Sequence, residues 1–159
     1  MSDSRSLLRV GIGAYAFSFL LVAISGPQTR GFGCAIMALV APVIWPPGTA
    51  GAEEVFNGQP FGYVALFVSG LVNIVFALAL SLKSPRYRRA FASARIAVLL
   101  MIPFSWLVFV LLPVLPREGH VLWVAGMLLA LFSEEIADRL GASSSDRGSE
   151  APHSAPAPP

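Results

Sequence analysis

The chain has 159 residues, of which 55% are hydrophobic and only 13% charged, with a mean hydropathy of +0.70. That charge content is about half of what a soluble domain carries, and the charges are missing in blocks. A small water-soluble globule is excluded, because a domain of this length cannot enclose several wholly apolar helices in one core. The net charge of +2 and pI near 9.1 reside beside the apolar runs, so they point to membrane orientation and anionic headgroups, not to nucleic acid.

Cys34 is the single cysteine, which rules out an intramolecular disulfide or a redox thiol pair. Ten of the eleven basic residues are arginine, and Ala, Gly and Pro are plentiful. Such usage fits a GC-rich bacterial coding sequence, so the expected location is a bacterial cytoplasmic (inner) membrane.

Taken in order, Met1–Ser6 is polar and Leu7–Ser25 is apolar except for Arg9. The pattern Arg5, Arg9, an apolar run and then Ala23-Ile24-Ser25 before Gly26-Pro27 has the form of a cleaved secretory signal. Its apolar part of about 16 residues exceeds the usual core of roughly 7–15, and Asp3 dilutes the positive leader. A retained first span is therefore expected, with Ala14 and Ser18 as a small packing face. Gly26–Gly31 breaks the helix. Phe32–Trp45 is apolar over about 14 residues, or about 21 Å at helical rise, which suits a re-entrant or interfacial segment better than a crossing. Gly48–Pro60 carries Glu53, Glu54 and the turn Asn57-Gly58 but no basic residue, as expected of the outer side.

Two long runs follow, Phe61–Leu82 and Ile96–Leu115, each about 20 residues without formal charge and so long enough for the roughly 30 Å hydrocarbon layer. In lipid their backbones must bond internally, which makes them helices. The turn between them holds Lys83, Arg86, Arg88, Arg89 and Arg95, which set the topology by marking the cytoplasmic side. Asn73 shares a helical face with Ser69, Gly70 and Ala77. Gly70 and Ala77 are expected to pack against another helix, and Asn73 to hydrogen-bond across it or to touch a substrate. Pro103 should kink its helix, with Ser105 helping to repair the freed carbonyl groups, and Pro113 lies near the end of the run.

Pro116–His120 reads as an external turn and the last helix as running from about Val121 through Leu140. Gly126, Ala130 and Glu134 recur every fourth residue, so a small-residue packing face should carry the Glu134 carboxylate into the bundle. Glu134 is then a candidate intramembrane proton or cation site, or else an interfacial anchor, with Glu135 able to pair with Arg139 and Arg95 a partner across the bundle. Trp45, Tyr63, Trp106 and Trp123 are candidates for interfacial aromatic belts. Residues 141–159 have almost no apolar bulk and are expected to form a disordered cytoplasmic tail.

Charge counting weighs the alternatives. If Phe32–Trp45 does not cross, Arg5 and Arg9 join the cytoplasmic set and only Arg30 and Arg117 lie outside; if it crosses, Arg5 and Arg9 move out while Arg30 moves in. The expected fold is thus an all-α polytopic membrane bundle of four transmembrane helices (about 7–25, 61–82, 96–115 and 120–140) with a short apolar segment at 32–45; five transmembrane helices are the alternative.

Gly11–Ala16 (GIGAYA) has a dinucleotide-loop glycine spacing but follows no strand and sits in an apolar run, so it is rejected. His120 and His153 are too few and too far apart for a metal cluster, and Glu53 and Glu54 are adjacent, so they do not face each other on a helix. No catalytic group, cofactor or metal site is expected. The function expected is non-enzymatic: binding of another membrane protein, as an accessory subunit or immunity-type partner, or self-association. A small transporter or channel subunit lined by Glu134 and Asn73 is the alternative, and a membrane enzyme a distant third.

Overall fold

The computed structural model describes residues 4–23, 30–44, 49–50, 60–111 and 115–148. Trp45, Glu53, Glu54, Asn57, Pro113, His153 and the tail beyond 148 lie outside the described residues.

The described chain is all-helical: α1 (Ser4–Ser18), α2 (Gly31–Ile44), α3 (Pro60–Ser81), a 3₁₀ turn (Pro85–Tyr87), α4 (Arg88–Leu111), α5 (Glu118–Leu131) and α6 (Ser133–Gly148). The one β-type pairing among these residues is an isolated antiparallel bridge between Val22 and Arg30. Phe61–Ser81 and Pro85–Leu111 are long and apolar enough to cross a membrane, and a third candidate exists if α5 and residues 133–140 count as one span bent by 73°. Only 28% and 17% of the apolar stretches in the first two are buried within the protein, so most of their surface needs an apolar solvent.

Several boundaries differ from the sequence reading. The first helix stops at Ser18, seven residues before the expected end. There the bonding tightens, with the N–H groups of Phe19, Leu20 and Leu21 turning back to carbonyls three residues earlier. The chain then extends: the Val22 and Ala23 carbonyls accept the N–H groups of Gly119 and Arg117, and Leu21 accepts that of Gly31. Residues 21–23 therefore link α1, α2 and α5, a use of backbone polarity that a hydropathy run does not reveal. At 15 residues, or about 22 Å, α1 is short for a full crossing.

Helix α4 begins at Arg88, not at Ile96, because Ala90–Ala94 sustain a helix through the arginines. Helix α5 begins at Glu118, so His120 lies in its first turn and not in a loop. The last helix is not continuous. Phe132 caps α5 with φ −109° and ψ 15°, its N–H bonding the Leu128 carbonyl, and Ser133 opens α6 at a sharp bend. Helix α6 then runs through residues 141–148, where a disordered tail was expected.

Helices α1 and α5 are antiparallel and touch backbone to backbone. A Cβ on Gly126 would lie 2.5 Å from the Tyr15 nitrogen, and one on Gly11 would lie 2.5 Å from the Ala130 nitrogen. At the far end, a Cβ on Gly119 would meet the Val22 carbonyl at 2.7 Å. Helix α3 packs on α4 and α2, with Gly70 close against the backbone of Ala38. The core holds Val72, Phe76, Ala79, Val98, Trp123, Met127, Ala130 and Leu131, drawn from α3, α4 and α5. These contacts bring Ser4, Lys83 and Ser133 to one end of the bundle and Val22 and Gly119 to the other.

Candidate functional site

Polar side chains gather at three levels of the bundle. In the middle, the Asn73 carboxamide oxygen of α3 accepts the Tyr15 hydroxyl of α1 at 2.9 Å and the Trp123 indole N–H of α5 at 2.9 Å. Its amide nitrogen donates to the Gly70 carbonyl one turn back, at 3.2 Å. Helical spacing turned Asn73 toward its neighbours, and three helices are tied at one side chain. The Tyr15 ring also packs against Phe19 and Phe76, with centroids 5.1 and 4.6 Å apart. Trp123 is consequently buried, not part of an interfacial belt. Trp106 is 42% exposed.

At the end bearing residues 22 and 119, the buried His120 stands among Trp106, Phe109 and Trp123, with ring centroids 5.2, 4.7 and 5.3 Å away. Its Nε2 lies 3.4 Å from the Ser105 hydroxyl oxygen. Ser105 donates to the Ile102 carbonyl at 2.7 Å. The carbonyl left without its helical donor by Pro103 belongs to Leu99, so Ser105 does not make the expected repair. His120 is the residue that sequence reasoning undervalued. Glu118 just before it, in an acidic first turn, was the signal that a helix had already begun.

At the opposite end, α6 is held by charge. The Lys83 ammonium donates to the Ser133 hydroxyl at 2.6 Å, reaches the Ala130 carbonyl at 3.5 Å and lies 3.6 Å from the Glu134 carboxylate. Arg95 pairs with Glu135, and its guanidinium lies 4.7 Å from the centre of the Phe132 ring. Glu135 thus takes the partner across the bundle in place of Arg139.

Glu134 does not point into the bundle. Its side chain is 65% exposed, because the bend at Phe132 interrupts the four-residue repeat that would have aligned it with Gly126 and Ala130. Those two do pack against α1. Gly70 packs against Ala38 of α2, and Ala77 lies on the exposed side of α3. Glu134 and Asn73 therefore hold separate partners at different levels: Asn73 meets Tyr15 and Trp123 within the bundle, and Glu134 meets Lys83, just past the end of α3. Among the described residues no cluster of three His, Cys, Asp or Glu side chains is positioned to hold a metal ion. Compared with known proteins, the chain matches no protein-family model, no curated protein and no solved structure.

Proposed function

We propose that this chain is a multi-pass protein of a bacterial cytoplasmic membrane that performs no chemistry of its own and acts by binding another membrane protein, as an accessory or protective subunit. Its four passes are α1 prolonged by residues 19–23, then α3, α4 and the bent α5–α6 unit, with α2 not crossing. The backbone bonds of residues 19–23 to the α2 and α5 segments carry the chain past the 15 helical residues of α1. Support for this arrangement comes from the helix directions. Arg5, Arg9 and the five cations of the 83–95 segment fall at one end of the bundle, while Arg30 and Arg117 fall at the other. The arginine-rich end is then cytoplasmic by the positive-inside bias.

The observation that carries the binding reading is α2. This 14-residue apolar helix is too short to cross and packs chiefly on α3. It turns Phe32, Ile36, Met37, Val43 and Ile44 outward, Val43 being 80% exposed. A short apolar helix laid against the outside of a bundle offers side-chain relief to a neighbouring helix, whereas the polar groups in the middle layer are engaged with each other.

Photo-crosslinking residues placed in native membranes test the reading. Positions 36 and 43 on α2 should yield an adduct of one defined protein mass, and positions 100 and 110 on α4 should yield lipid adducts. Lipid adducts alone at all four positions would remove α2 as a binding surface.

A further inference from the structure

The five cations between residues 83 and 95 do not share one role. Lys83 and Arg95 are partly buried, with side chains 14% and 27% exposed, and they are taken by Glu134 and Glu135 of α6. Arg86, Arg88 and Arg89 are exposed, and among the described residues no carboxylate pairs with them. Together with Pro85, Tyr87 and Ala90 they line a shallow open concavity. The Arg86 guanidinium lies 5.6 Å from the centre of the exposed Tyr87 ring.

Three like charges within four consecutive residues repel one another, so this surface gains from an anion that all three can reach. Its place in the chain says where that anion comes from. Arg89 precedes Ile96, the start of the charge-free run, by seven residues, or about 10 Å at helical rise, which puts it near the depth of lipid headgroups. Guanidinium groups bind phosphate oxygens in bidentate fashion, which an ammonium does not. Tyr87 supplies an aromatic ring of the type that settles at the headgroup level.

We propose that the Pro85–Ala90 concavity is a binding site for the phosphate of an anionic phospholipid headgroup, of phosphatidylglycerol type, in the leaflet that meets this end of the bundle. It requires only that this end contacts a membrane and is independent of any protein partner. Lys83 and Arg95 hold the protein together, and Arg86, Arg88 and Arg89 hold the lipid.

The test uses the full chain in non-ionic detergent, titrated with phosphatidylglycerol, phosphatidylcholine or glycerol 3-phosphate, with bound molecules counted by native mass spectrometry. Phosphatidylglycerol should be retained at least about tenfold more strongly than phosphatidylcholine, and less so as salt is raised. Each of Arg86→Gln, Arg88→Gln and Arg89→Gln should weaken it about fivefold, and the triple variant about 100-fold. Arg117→Gln, at the opposite end, should leave it unchanged. The single variants keep the test sound if the triple variant unfolds. Equal retention of the two lipids overturns the proposal, as does wild-type retention by all three single variants. Displacement of the lipid by an equal concentration of glycerol 3-phosphate overturns it too, because the site would then belong to a soluble phosphate. A chain indifferent to phosphatidylglycerol that still gives the α2 adduct would leave the binding reading standing.

Discussion

Asn73 accepts two hydrogen bonds on one oxygen, and both donors lose their acceptor if it is removed. Asn73→Leu should therefore cost about 1–2 kcal/mol, since a Tyr hydroxyl and a Trp N–H are left without an acceptor in an apolar layer. Tyr15→Phe, which leaves the Trp123 bond in place, should cost about 0.6 kcal/mol or less. Thermal midpoints in detergent decide the matter, and equal losses would mean that Asn73 does not tie the three helices. Glycines give a sharper contrast. Gly126→Ala should cost more than about 2 kcal/mol, because its Cβ meets the Tyr15 backbone and α1 has to move. Gly13→Ala, on the same helix as Gly11 but with open space around it, should be neutral or gain up to about 1 kcal/mol. At this scale the sequence told which way Asn73 faces but not what it meets. Tyr15 was one more residue in an apolar run, and Trp123 had the profile of a belt tryptophan.

The α5–α6 bend shows why periodicity misled at Glu134. A four-residue repeat holds only while the helix continues, and here a second helix starts at Ser133 with two acids in its first turn, where they complement the helix dipole. The pattern Ser133-Glu134-Glu135 was a helix-start signal inside what looked like a single helix. Lys83 fixes α6 at this joint through Ser133 and Glu134. Lys83→Met should therefore raise amide exchange across residues 133–140 by about tenfold or more, while α3 and the α1–α5 pair keep their protection. Unchanged exchange in α6 would mean that Arg95 and packing hold it without Lys83. The long helices α3 and α4 were legible because a run of apolar residues beyond about 18 admits one physical outcome in lipid. The early end of α1 was not, because its following residues use backbone bonds, which leave no trace in hydropathy.

For the molecule as a whole, composition pointed to membrane spans, and two helices are long and apolar enough to cross, but the number of crossings depends on short helices that composition cannot rank. Labelling separates the two topologies. In a Cys34→Ser background, a cysteine at position 88 should react with an impermeant thiol reagent only from the cytoplasmic side, and one at 117 only from outside. A cysteine at position 5 should behave like 88 if four helices cross and like 117 if five do. Reaction of position 88 from the outside would invert the whole arrangement. The glycine seam between α1 and α5 has a further consequence for how the chain is made. Gly126 leaves the ribosome more than a hundred residues after Gly11, a delay on the order of ten seconds. For that interval the groove on α1 stands without α5, open to any other small-residue helix and to proteases. The nascent chain is therefore most fragile until α5 has been made, and stalling upstream of codon 118 should yield degraded fragments, not a stable truncated protein.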